Sequence, residues 1–284
     1  ERLKVKSGAA MKKNNKSAPN QVRKTRSPPS NKWKYIKRYK QCRFNGIVAM
    51  GITKIIEQRL FPYSEGWRLA FQRGTCAGGS DLGRRVDAEL GKWTCAYNKL
   101  TKPSSTRKKA YSPARFLKMI ARFHLCTRAI ITHLTGLGLV PDESQLVVGS
   151  CRARVATPID LRLRHKETGE YFLIEVKTGY LGTFVDGRQP SDGTRRLSWR
   201  MKPPFDQEPS SPLTFARIQL VWGWLMHAGV FPHLQVPASN LIVVNATSEG
   251  AVNHYPVSAS FATVANHVIL SLLIQIASRR RRDW

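Results

Sequence analysis

The sequence predicts an α/β protein: a central mixed sheet flanked by helices, with a helical N-terminal part and basic disordered tails. Three observations carry this prediction. Hydrophobic residues make up 42% of 284 positions, enough apolar matter for a packed core that a disordered chain could not build. The apolar residues recur with a helical period up to about residue 140, with a strand period from about 145 to 176, and with a helical period again from about 214. Both ends are polar and basic, with fifteen Lys and Arg against one acid in residues 1–43 and four Arg against one Asp in residues 279–284.

Residues 1–43 are rich in Lys, Arg, Asn, Ser and Pro and have no apolar period, so they read as a solvated tail. It is a nucleic-acid arm, an import signal or a solubilising terminus. Within it Trp33, Tyr35 and Tyr39 interleave with Lys34, Lys37, Arg38 and Lys40. That mixture of ring and cation suits stacking on bases beside phosphates, or equally a packing of the tail onto the core. The globular domain spans 44–278, with a helical part at 44–140, a sheet core at 141–250 and a last helix at 258–278. Ile47 to Leu60 has helical spacing, and Gly79 to Trp93 opens after a Gly-rich turn with Ser80 as cap. Lys102 to Lys109 is a basic loop, and Ala114 to Leu137 is one long helix or a helical pair. Gln145 to Val148, Arg152 to Ala156, Ile159 to Leu163 and Tyr171 to Val176 read as short strands, with Lys166 to Gly169 at a hairpin tip. The polar stretch 182–212 is a long loop of the kind that is functional or disordered. Thr214 to Ala228 is a helix, Leu241 to Asn245 a buried strand, and Ser258 to Ser278 a helix running into Arg279 to Arg282.

Net charge of +29 and a pI near 10.6 narrow the function classes. The domain between the tails is still strongly basic, which points to a polyanion as partner, with nucleic acid the default because phosphate neutralisation releases condensed counterions. A membrane surface would want an amphipathic basic helix, and Pro19, Pro28 and Pro29 interrupt the N-terminal run. No segment reaches the ~20 apolar residues of a membrane span, the longest candidate, Val268 to Ala277, being about half that. Five cysteines, odd in number and widely separated, read as reduced thiols in an intracellular compartment, nuclear before mitochondrial, with a viral source open. Neither Cys nor His clusters as a zinc site requires.

The chemistry lies in Pro158-Ile159-Asp160 and, after the hairpin, Ile174-Glu175-Val176-Lys177-Thr178. Strand alternation puts Glu175 and Lys177 on one face, and the hairpin brings Asp160 beside them. Two carboxylates and an ammonium among apolar neighbours either pair with one another or take a cation. Carboxylates and a backbone carbonyl are the hard ligands that Mg²⁺ or Mn²⁺ prefers.

This arrangement resembles the PD-(D/E)XK nuclease superfamily, and Arg154 to Leu161 with Phe172 to Gly179 look like its RecB-like and lambda-exonuclease-like branch. Gly79 to Asp87 is similar to that branch's N-terminal helical motif, and Ala216 to Trp222 to the helix after its core strands. The resemblance implies a restriction-endonuclease-like core and a Mg²⁺-dependent or Mn²⁺-dependent deoxyribonuclease, in exonucleolytic recombination, replication or repair. Asp160, Glu175 and the Val176 carbonyl hold the metal, Lys177 positions the attacking water, and Gln219 contacts substrate or steadies the lysine. Asp87 completes the metal site or is merely an exposed ion-pair partner. Gly83 stands where many relatives have His, and Gly223 where a Tyr usually follows the Gln by four. Arg84, Arg85, Arg195, Arg196, Arg200, Lys34 and Arg38 would contact DNA, or RNA, along the way to the site. The alternative is a nuclease-like module that binds nucleic acid without cutting it, in a ribonucleoprotein or packaging assembly.

Overall fold

The computed structural model describes residues 33–36, 41–61, 79–101, 112–180, 184–185 and 200–282. Their order is β1 (Trp33–Ile36), β2 (Gln41–Phe44), β3 (Ile47–Gly51), α1 (Ile52–Leu60), α2 (Gly79–Thr101), α3 (Pro113–Ala121), α4 (Leu125–Gly136), β4 (Leu139–Ser150), β5 (Val155–His165), β6 (Tyr171–Thr178), α5 (Pro212–Val230), β7 (Leu241–Ala246), β8 (Val252–Pro256) and α6 (Ala259–Arg282). The eight strands form one mixed sheet in the order β1-β2-β3-β5-β6-β7-β8, with β4 also paired to β5. The β3–β5 and β6–β7 pairs are parallel and the others antiparallel.

Helices cover both faces, as a sheet with parallel pairs requires. On one face α1, α5 and α6 bury Ile56, Trp222 and Ala265 against Ile159, Leu173 and Val243. On the other, α2 and α4 bury Val86, Trp93 and Ile130 against Leu161, Ile174 and Val244. Local sequence sets the helix starts. Ser112 and Ser211 accept backbone N–H bonds from Arg115 and Thr214, each followed by a proline whose missing N–H costs nothing at that position.

Several expectations need correction. Trp33–Ile36 and Gln41–Phe44 are strands, not tail: Trp33 is buried with Cys42, Ala49 and Val147 in a small core of their own. Ile47–Gly51 is strand and only Ile52–Leu60 is helix, because Asn45 and Gly46, with φ of 48° and 85°, make a two-residue hairpin turn. So the part before residue 140 is not purely helical. Ser80 lies inside the first turn of α2, and that helix runs on to Thr101. Ala114 to Leu137 is a pair of helices. Arg152 to Arg154 are a turn, with Arg154 at a φ of 51°, and Val155–Ala156 and Ile159–Leu163 belong to a single strand, β5, that passes through Pro158. β8 is a strand beyond those expected, since its residues are mostly exposed and polar. The helix backbone of α6 continues to Arg282, so those arginines are not a separate tail. Within α6, Ala259–Arg279 has a mean hydropathy of 1.6, long and apolar enough to cross a membrane by length and composition, with 22% buried. The expectation that no segment is long enough is thereby corrected: the apolar stretch extends N-terminally beyond Val268, across Asn266 and His267, to Ala259. Residues 1–32, the basic loop 102–109 and most of 182–199 lie outside the described residues. The described cysteines, Cys42, Cys95, Cys126 and Cys151, are free thiols.

Candidate active site

A strand has two edges. One edge of β5 carries β4 along its length. The other pairs with β3 at Val155 and Ala156 and with β6 from Leu161 to Arg164. Between Ala156 and Leu161 no described strand pairs with that second edge, and β6 continues past Ile174 alongside β7 alone. The sheet therefore forks, and Asp160 and Glu175 stand at the fork. Pro158 sits on the same unpaired stretch, where a missing backbone N–H is tolerated.

The pleat breaks at the same place. Ile159 packs in the core under α5, whereas Leu161, two residues on, packs in the core under α2 and α4. A regular strand would send both to one face. Opposite them, Gln145 of β4 has φ of 51°, the left-handed conformation uncommon for a residue with a side chain. Such departures persist only where surrounding structure over-determines them. Here the result is visible: Gln145 Nε2 donates to Asp160 Oδ1 at 3.1 Å, and the Val176 N–H donates to Asp160 Oδ2 at 2.8 Å. The Asp160 carboxylate takes the place of the strand partner that β6 lacks.

Around the fork, Asp87, Asp160, Glu175, Val176, Lys177 and Gln219 line one cleft of about 260 Å³, with Gly83, Thr178 and Tyr180. Glu175 is 2% exposed, and Lys177 Nζ donates to its Oε1 at 2.5 Å and to Gln219 Oε1 at 3.3 Å. Burial and then the repulsion of Asp160 push the Glu175 carboxyl up to about 8. Burial also raises Asp160, against Lys177 and the two hydrogen bonds it accepts. Burial opposes the charge on Lys177, but Glu175 and Asp160 outweigh it and hold the ammonium above its ordinary value. Asp160 and Glu175 set two carboxyls against the one ammonium of Lys177 in a desolvated cleft, the situation a cation relieves.

The donor chemistry fits a hard divalent cation sparingly. Among the described residues no three Asp, Glu, His or Cys side chains stand at metal-ligand spacing. The fit is thus two carboxylates and a backbone carbonyl, with Asp87 further off. Mg²⁺ is commonly held in this way, because it keeps several of its waters. Each bonded oxygen of Asp160 and Glu175 retains a second lone pair for a metal.

The glycines at the two positions where the resemblance leads one to expect Tyr and His are closely approached. A Cβ on Gly223 would meet Ile159 Cγ1 at 3.0 Å, and a Cβ on Gly83 would meet Thr178 Oγ1 at 3.3 Å, so a larger residue at either requires its neighbour to give way. The other expected contacts are dispersed. Arg84 pairs with Asp81, Arg85 bonds Glu89 at 3.1 Å, and Arg200 bonds the Asp206 carbonyl and Gln207. Lys34 is exposed on β1, the outermost strand, and none of the four lines the cleft. Arg38, Arg195 and Arg196 lie outside the described residues. Sequence reading missed Gln145 and Tyr180, and gave Thr178 only as the end of the Glu175–Lys177 motif. Tyr180, raised mainly by burial and set between the charges of Lys177 and Glu175, lies three residues beyond the lysine, and only that adjacency could have pointed to it. No protein-family model matches the chain, and no curated protein matches it.

Proposed function

We propose that the protein is a metal-dependent nuclease that hydrolyses phosphodiester bonds of DNA. The observation that carries this reading is the meeting of Asp160, Glu175, Lys177 and Gln219 in one desolvated cleft at a fork in the sheet. A restriction-endonuclease-like arrangement of the core belongs to the same proposal, with β5 and β6 bearing the acids and α2 and α5 bordering them. Asp160, Glu175 and the Val176 carbonyl would hold Mg²⁺ or Mn²⁺, with Asp87 alongside. The bound ion would supply neutralising charge at the scissile phosphate and a more acidic water. Lys177, protonated and steered by Gln219, would orient the attacking water and offset charge building on the phosphoryl oxygens. The dominance of cations elsewhere on the chain would bring the polyanion to the cleft.

A second reading, a nuclease-like module that binds nucleic acid without cutting it, is favoured by the closed Glu175–Lys177 pair, which satisfies both charges without a cation. One experiment separates the two. End-labelled linear and circular, single- and double-stranded DNA is incubated with the protein in Mg²⁺, Mn²⁺ and EDTA. Cleavage that needs the metal and is lost in Lys177→Ala supports the nuclease. Metal-independent binding without any product overturns it.

A further inference from the structure

A second cleft, of about 580 Å³, opens between α2 and α3. Its wall carries Lys92 from α2 and Arg115, Lys118 and Arg122 from α3 and its C-terminal cap, with Met119 beneath them. On a helix the spacings 115, 118 and 122 stack in one stripe, where like charges three and four residues apart repel one another. Nothing in α3 offsets this: its sequence PARFLKMIA contains no acid, and it has no buried residue.

The one acid in the wall faces inward. Glu89 is 6% exposed, accepts from Thr127 Oγ1 at 2.6 Å and the His124 N–H at 2.9 Å, and pairs with Arg85. Burial alone would raise its carboxyl, but those bonds prevail and hold it below the ordinary range. Glu89 is therefore a fixed anion that ties α2 to the start of α4. Among the described residues that line the cleft, Glu89 is the one acid beside four cationic side chains.

We infer that this α2–α3 cleft is a phosphate-binding groove for a nucleic-acid strand, separate from the cleavage cleft. The Arg122 guanidinium suits the planar, bidentate recognition of phosphate, and the Lys92 and Lys118 ammoniums stand as point charges in the same wall. The groove shares α2 with the cleavage cleft: Asp87 and Gly83 face one flank of that helix, and Glu89 and Lys92 the other. A strand crossing the exposed ridge of α2 would touch both. The inference rests on nucleic acid as the ligand, not on cleavage.

The test is Lys92→Gln/Lys118→Gln/Arg122→Gln in the full chain. A short fluorescein-labelled single-stranded deoxyoligonucleotide is titrated by anisotropy in EDTA over a series of salt concentrations. Each phosphate contact adds about 0.7 to the slope of log affinity against log salt for single strands, so loss of three contacts flattens the slope by about two. The three side chains are exposed, and relief of their repulsion leaves the melting temperature equal or higher. A charge-preserving Lys118→Arg variant keeps the parent slope. An unchanged slope in the triple variant overturns the groove. So does a variant that keeps the oligonucleotide but loses poly-glutamate, which would make the ligand an acidic protein segment. Because EDTA is present throughout, a protein that never cuts DNA but loses slope in the variant defeats the nuclease reading and leaves the groove standing.

Discussion

Two charged clusters lie two residues apart on β5. At Asp160 two carboxyls adjoin one ammonium, and burial drives Glu175 toward the neutral form. At Arg162 a guanidinium, 8% exposed in its side chain, bonds Asp142 at 2.7 Å and Glu143 at 3.0 Å, with its carbon over the rings of Tyr171 and Phe231. Both place two acids against one cation on the same strand, and they differ in where the second acid sits: Glu143 is 47% exposed in its side chain, whereas Glu175 is 2% exposed. The second cluster braces the fold. Asp142 is the extra residue where β4 slips register between Pro141 and Glu143, and Arg162 holds that bulge in place. Burial of charge therefore does not mark a reactive site by itself. What separates the two clusters is an acid shut away from solvent, whose charge water cannot screen.

The comparison breaks most sharply in substitutions. Lys177→Ala is expected to lower metal-dependent hydrolysis about 10² to 10³-fold with folding largely intact, measured as initial rates beside circular dichroism; an unchanged rate would sink the assignment. Arg162→Met should do the opposite, costing about 3 kcal/mol in urea unfolding, the low end for a buried pair because Glu143 is 47% exposed.

The two clusters should also respond oppositely to pH. Glu175 has its folded pKa raised from 4.5 to about 8, so its contribution to stability is complete below 4.5 and is lost as pH rises through 8. His227, beside Arg162, is lowered from 6.5 to about 4, chiefly by burial. Its contribution is complete above 6.5 and is lost as pH falls through 4. Melting curves in EDTA should show Glu175→Gln flattening the alkaline limb and leaving the acid limb in place. A parent protein with no alkaline limb would contradict the buried repulsion.

The smallest effect sharpens the comparison from inside the first cluster. Gln145→Asn keeps a residue that tolerates the left-handed conformation but is one methylene too short for the same reach to Asp160. Metal affinity by calorimetric titration should fall about tenfold, as for the loss of a ligand's supporting hydrogen bond. An equal affinity would mean that Asp160 holds its place without Gln145.

What was legible follows from what was local. Asp160, Glu175 and Lys177 could be found because a strand has a period of two and a hairpin has a short turn. Gln219 could be placed because the apolar pattern around it is helical. The fork and the pleat break were not legible: they depend on which strands fail to pair, a relation between residues 50, 155 and 174 that no local period records. β1 and β2 were hidden by composition, since Lys34, Arg43 and their neighbours gave the segment the charge of a tail while Trp33 and Cys42 alternated beneath it. The Asn45-Gly46 turn signal was present and was outweighed by the apparent helical spacing from Ile47.

The Val176 amide depends on the Asp160 side chain rather than on a neighbouring strand, so on the proposed nuclease reading that carboxylate would carry two obligations under selection. A lineage that had abandoned catalysis would still be penalised for losing an acceptor at 160, because the sheet would be left with an unsatisfied N–H at its fork. Asparagine meets the folding obligation and fails the chemical one. The persistence of an acceptor at position 160 among descendants of this chain is thus poor testimony to activity, and the charge at 160, together with Lys177, is the part of the record that tells ancestry from use.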